Sequence, residues 1–222
     1  VRGIGVNPPL QRSSAELAAS TGIAYAVWPA DLATPVRLFL ALRAAGHHAC
    51  LLESVEGPAR LARYSFVGVD PVAHFRGRRG GSVVTTDQGE HKLPGSVHEA
   101  LRAAAGKPRA LPPPGLPPFL GGWIGWFSYE WSSVLEPRVP RAARDPWSVP
   151  EATFDLYHDV LAIDHAAQKL FIVTRVEKSL GVAQERIDTL AADALRDGLA
   201  SSGDLHLQGD FAPCTEPSVF EK

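Results

Sequence analysis

Six prolines fall between Lys107 and Pro118. Proline lacks a backbone donor and fixes φ, so no sheet interior can hold such a stretch. It reads as an extended segment, either a domain boundary or a surface crossing within one domain. The elements around it follow one another without regular strand–helix alternation. Ala24–Trp28, Ala49–Glu53, Tyr64–Val69 and Val72–Phe75 read as strands. Val83–Thr86 and Glu90–Leu93 flank the turn Asp87-Gln88-Gly89, a hairpin signal. Beyond the prolines, Gly121–Ser128 reads as a strand, Tyr129–Leu135 as a helical turn and Pro137–Pro150 as a loop. Ala152–Ile163 and Lys169–Arg175 read as a second hairpin about Asp164-His165. This order favours an α+β fold with mainly antiparallel sheet over a doubly wound one.

Three helices are expected. Thr34-Pro35 supplies a capping hydroxyl and a proline at the first helical position. Val36, Phe39, Leu40 and Leu42 give that helix its expected apolar stripe, and Gly46 ends it. Val97–Ala105 is a short helix. Residues 181–197 form an amphipathic one, with Ile187, Leu190, Ala191, Ala194 and Leu195 on one face. The first 23 residues are weakly patterned, with at most a short helix around Ser14–Ala19.

Composition excludes several classes. The 222 residues are 45% hydrophobic and 21% charged, which suits a packed core rather than general disorder. With 22 Lys+Arg against 24 Asp+Glu, the net charge of −2 gives no global attraction to nucleic acid or to an anionic membrane. No apolar run approaches the roughly 20 residues of a membrane span, and the opening VRGIGVNPPLQRSS lacks a signal-peptide core. The two cysteines, Cys50 and Cys214, make no disulfide framework. Cys50 in its apolar stretch reads as a buried thiol suited to a reducing cytoplasm. The absence of Met and the ending PSVFEK, with Ser218 as a plausible helix cap, lead us to expect a piece of a longer chain. The expected division is a domain over 1–200 and a linker over 201–222.

The residues alone offer no evident catalytic site. Gly121-Gly122-Trp123-Ile124-Gly125 is glycine-rich, but Trp126-Phe127 follows where a phosphate loop needs a helix N-terminus. Its expected role is to admit close backbone approach beside a bulky ring. The eight histidines lack metal-ligand spacing, and His47-His48 closes a helix, where a cation suits the dipole. Arg76-Gly77-Arg78-Arg79-Gly80-Gly81 can hold a phosphate but reads better as a solvated hairpin end. Glu53, Glu56, Glu130 and Glu136 are candidate general acids or salt-bridged structural carboxylates.

Two longer stretches carry more. LATPVRLFLALRAAGHHACLLESVEGPARLARYSFVGVDP spans Leu32–Pro71. PPFLGGWIGWFSYEWSSVLE spans Pro117–Glu136 and continues through VPEATFDLYHDVLAIDH at Val149–His165. Together they resemble the N-terminal region of component I of the chorismate-using synthases, anthranilate synthase and aminodeoxychorismate synthase. The TPV helix, the LLES strand, the RYSF strand with its downstream DP and the glycine-rich segment ending in Tyr129-Glu130 occur in the family's order. The resemblance covers about 30 to 165.

The resemblance implies half of a larger β-sandwich-like enzyme. Such an enzyme converts chorismate with an amino group from a partner glutamine amidotransferase. Magnesium and chorismate are expected in a C-terminal chorismate-binding half, so no cofactor and no catalytic residue is expected on this chain, which alone should make neither product. The N-terminal part of anthranilate synthases also supplies much of a tryptophan feedback site centred on the LLES strand. That places Glu53, Ser54, Arg63, Tyr64 and Ser65 as candidate tryptophan-binding residues. A carboxylate suits an ammonium, a hydroxyl takes either polar end, and an apolar wall receives an indole. The open alternative is structural: Arg63 pairs with Glu53 or Glu56, and Tyr64 belongs to the core. Thr34-Pro35-Val36 with Leu51–Gly57 favours anthranilate synthase. Trp123 with Ser128-Tyr129-Glu130 keeps aminodeoxychorismate synthase as the alternative, with a tryptophan as a fixed structural ligand. A non-catalytic amino-acid-binding or docking subunit is the third reading.

Overall fold

The computed structural model describes residues 16–18, 22–31, 33–53, 63–106, 111–136, 138–140 and 148–196. In chain order the elements are β1 (Glu16–Ala18), β2 (Ile23–Pro29), α1 (Pro35–Ala44), β3 (Ala49–Leu52), β4 (Tyr64–Val69), β5 (Ala73–Arg78), β6 (Gly81–Thr86) and β7 (Gly89–Leu93). Then come α2 (Val97–Ala105), β8 (Gly122–Phe127), a 3-10 turn at Tyr129–Trp131 that runs into α3 (Ser132–Leu135), β9 (Ala152–Tyr157), β10 (Asp159–Asp164), β11 (Lys169–Arg175) and α4 (Leu180–Leu195). The strands form two sheets. The larger has the order β1-β2-β11-β10-β4-β3, and the smaller β7-β6-β5-β9-β8. Every pairing is antiparallel, as expected for this α+β class.

The helices start where local chemistry places them. Thr34 Oγ1 accepts from Arg37 N at 3.2 Å, with Pro35 at the first helical position. Ser96 and Glu99 close a reciprocal capping box on α2. One face of the larger sheet packs against α1 and α4. Leu38 and Leu42 from α1 and Ile187 and Leu190 from α4 lie on Ala26, Val67, Leu161 and Ile172, all fully or almost fully buried. Each such leucine or isoleucine contributes roughly 1.5–3 kcal/mol by leaving water. Val36 and Leu40 of the expected α1 stripe are instead exposed. Nearly every position of α1 is apolar, so periodicity does not select the inner face; contact with the sheet and α4 does.

The opposite sheet face carries Ile23, Ala162, Phe171 and Val173, with Leu116 and Leu120 of the proline-rich segment packed on them. The described part of that segment, residues 111–120, therefore crosses the surface of its own sheet. The glycines after it act as close-approach positions. A Cβ on Gly125 would run into the Thr153 carbonyl oxygen and the Phe154 backbone. Arg78 pairs with Gly81 across β5 and β6, which makes Arg79-Gly80 a solvated hairpin end.

Two expectations are corrected. Glu16–Ala18 is a strand, not part of a short helix: it pairs with β2, and Tyr25 donates to Glu16 Oε2 at 2.6 Å. The expected single strand Ala152–Ile163 breaks at His158, where the chain leaves the smaller sheet and enters the larger. Its partner makes the same passage at Asp70–Val72, between β4 and β5. Two neighbouring strands thus turn one corner together, with Asp70 at φ 46°. Residues 201–222 of the expected linker lie outside the described residues.

Candidate functional site

Edge strand β3 pairs with β4 as far as Leu52–Phe66. Glu53 follows, exposed to solvent. Ser54, with Val55–Gly57 and the Gly57-Pro58 turn, lies outside the described residues.

Arg63, Tyr64 and Ser65 diverge in role. The Arg63 guanidinium donates twice to Asp164, from Nε to Oδ1 at 3.0 Å and from Nη2 to Oδ2 at 2.6 Å. Its charge also lies 5.0 Å from the centre of the Tyr64 ring. The partner of Arg63 is thus Asp164, opposite Tyr64 in the ladder, rather than Glu53. Asp164 Oδ1 additionally accepts the amides of Ala166 and Ala167 at 3.1 Å each. The Arg63 hydrogen bonds, against the opposing effect of burial, hold the Asp164 carboxyl below the usual range. Burial and the Asp164 charge push the Tyr64 phenol up.

Tyr64 stacks on Phe66 at 6.0 Å, and Phe66 meets the edge of Phe119 at 5.6 Å. These rings form an aromatic wall where the proline-rich segment covers the sheet. Ser65, one residue along, belongs to the other face of the strand. It is almost fully buried, and its Oγ lies 2.8 Å from His165 Nε2. The structure therefore brings Arg63, Tyr64 and Asp164 together and places Ser65 with His165. Asp164 and His165 were legible only as a turn; their partners lie about a hundred positions upstream.

Among the described residues, no three His, Cys, Asp or Glu side chains are grouped to hold a metal ion. No helix among them is long and apolar enough to cross a membrane. Cys50 is half-buried, with its Sγ close to Gly68, against which the ring of Tyr157 also lies.

Fold and site together define a class: an α+β module of two antiparallel sheets sharing a cornered strand pair, with one helix-covered face and one aromatic face. A solved anthranilate synthase component I from Streptococcus pneumoniae has this fold. It matches 77% of this chain and 37% of its own with a TM-score of 0.57, at 21% identity. Among curated relatives, anthranilate synthase component 1 of Acetivibrio thermocellus is 30% identical over 174 residues, 75% of this chain and 35% of the relative. The Synechocystis protein of that name is 33% identical over 151 residues, 67% of this chain and 30% of its own. That of Streptomyces coelicolor is 35% identical over 144 residues, 65% and 25% respectively. No protein-family model matches the chain. The chain belongs to the anthranilate synthase component I family and spans about a third of the length of the curated relatives it matches.

Proposed function

We propose that this chain is the N-terminal, structural and tryptophan-responsive part of an anthranilate synthase component I. With a chorismate-binding part, it would serve the conversion of chorismate and ammonia to anthranilate and pyruvate, the ammonia coming from a glutamine amidotransferase. The observation that carries this reading is the 30–35% identity to proteins of that name over 144–174 residues. The aminodeoxychorismate alternative is not favoured by these relatives. Two features support the assembly. Edge strand β8 and the turn after it expose Trp126, Phe127, Tyr129 and Leu135, an apolar rim suited to burial against the chorismate-binding part. The aromatic wall beside Arg63 suits an amino acid with a large apolar side chain.

On this reading magnesium belongs to the chorismate-binding part rather than to this chain. On this chain the derived roles are positional. Arg63 and Asp164 fix the start of β4, and α1 and α4 back the sheet that presents the wall. The test is complementation. A polypeptide that joins this sequence to a chorismate-binding part should restore growth without tryptophan to a strain lacking anthranilate synthase component I. Rescue only of a 4-aminobenzoate-requiring strain would favour the other synthase. Rescue of neither would favour a binding subunit.

A further inference from the structure

The corner where the two strands change sheets is tied by a polar network that the synthase reading leaves unused. Asp70 makes four hydrogen bonds there. Its Oδ1 accepts from His48 N at 2.9 Å. Its Oδ2 accepts from Arg186 Nη2 at 2.8 Å and meets His47 Nδ1 at 2.6 Å. Its own N–H donates to the His48 carbonyl at 2.7 Å. The other His47 nitrogen, Nε2, lies 3.1 Å from Asp193 Oδ2 on α4. Arg186 Nε donates to Asp159 Oδ2 at 2.7 Å, and Thr174 donates to the second oxygen of Asp159.

The decisive point is that both nitrogens of one ring face carboxylates. An ionised carboxylate only accepts, and a neutral imidazole has only one N–H. A neutral His47 would satisfy one carboxylate and turn a lone pair on the other. The imidazolium satisfies both. The His47 side chain is 13% exposed and its partners Asp70 and Asp193 are 35% and 30% exposed, so water replaces a lost bond only in part. The elements packed around it carry Arg43 on α1, His48 ahead of β3, Asp70 at the corner, and Asp193 and Arg186 on α4. Asp159 on β10 and Tyr157 on β9 stand one step further, within reach of Arg186 and Asp70. The ring also follows the C-terminal end of α1, where a cation suits the helix dipole.

We propose that His47 is a proton-operated clasp. As an imidazolium it fastens the α1–β3 junction to the sheet-changing corner and to α4. As a neutral ring it releases one of those two ties, and edge strand β3, which leads into Glu53, loosens. Burial opposes the charge on His47, yet the hydrogen bonds to Asp193 and Asp70 outweigh it and the repulsion of Arg186, raising the group above the ordinary 6.5. The clasp is therefore fully closed below that value and opens as pH rises through the raised folded value. Asp70 works in the opposite sense. Burial alone would raise it, but Arg186, His47 and the His48 amide hold it below 3.8, so its contribution is lost only as pH falls through that lowered value.

The test is a proton-NMR titration of the His47 ring in the full chain, paired with hydrogen exchange at the Ala49–Leu52 amides. The ring should titrate above 6.5, and Asp193→Asn should move its inflection down. Exchange at β3, corrected for intrinsic base catalysis, should accelerate through that inflection by at most about tenfold per pH unit, the limit for one proton. His47→Gln should abolish that step. A ring titrating at or below 6.5 would overturn the proposal, as would β3 exchange that ignores the inflection. If His47→Gln does not fold, the wild-type titration and Asp193→Asn still decide.

Discussion

Replacing Gly125 by alanine puts one methyl group where the backbone of the next strand already stands. The added Cβ would fall well inside contact with the Thr153 carbonyl oxygen, 2.6 Å from Phe154 Cα and 2.7 Å from its Cγ. Ordinary contact begins near 3.4 Å, and the offending atoms are mostly backbone, so no rotamer change relieves them. Strand β8 must then move off β9 around the Gly125–Phe154 pair. Overpacking costs about 1–3 kcal/mol, and each ladder hydrogen bond lost adds about 0.5–1.5 kcal/mol. The expected loss is about 2–5 kcal/mol. With a urea slope on the order of 2–3 kcal/mol/M, the unfolding midpoint should drop by about 1–2 M. Two other glycines separate space from conformation. Gly81→Ala meets nothing within 4 Å and needs no left-handed backbone, so it should be neutral or stabilise by about 0.4–1 kcal/mol. Gly46→Ala also meets nothing, but at φ +97° it should cost about 1–2 kcal/mol. Urea titrations followed by circular dichroism would order the three. Equal midpoints for Gly125→Ala and Gly81→Ala would refute the close-approach account of the glycine-rich segment.

Arg63→Met removes the cation that holds Asp164 ionised. Asp164 has a lowered pKa, so its stabilising contribution is present above the ordinary 3.8 and fades as pH falls through the folded value. The variant should lose resistance to acid at a higher pH than the wild type in urea midpoints taken between about pH 2 and 6; an unchanged acid limb would deny the pair its role. In the polypeptide that carries the activity, Ser54→Ala should raise the inhibitory tryptophan concentration roughly ten- to a hundredfold, since a hydrogen bond to a charged ligand group is worth about 1.5–3 kcal/mol. Turnover without tryptophan should hold, because the two sites are linked only through a coupling. Intact inhibition with damaged folding would make Ser54 structural.

What was legible in the sequence is what local chemistry dictates. Thr34-Pro35 announces α1 within a single turn, and the β6–β7 hairpin is written in Asp87-Gln88-Gly89, whereas the Ser96–Glu99 capping box of α2 emerged only from the structure. Where partners are remote, the reading stops. Arg63 and Asp164 are 101 positions apart, and His47 and Asp193 are 146 apart. No spacing rule joins them; the sheet does. The corner at His158 is hidden for another reason. Residues on both sides of it have strand propensity, and a change of sheet leaves no mark on alternation when β10 is buried on both faces. Likewise α1 has too many apolar positions for its inner face to be chosen before α4 and the sheet are in place.

The central claim is that this chain serves an anthranilate synthase. The most direct measurement supplies chorismate, ammonium and magnesium to a purified polypeptide that joins this sequence to a chorismate-binding part and follows anthranilate by its fluorescence, with and without tryptophan. The account predicts anthranilate formation that tryptophan suppresses. Aminodeoxychorismate as the product, or anthranilate formation indifferent to tryptophan at every concentration, would contradict it.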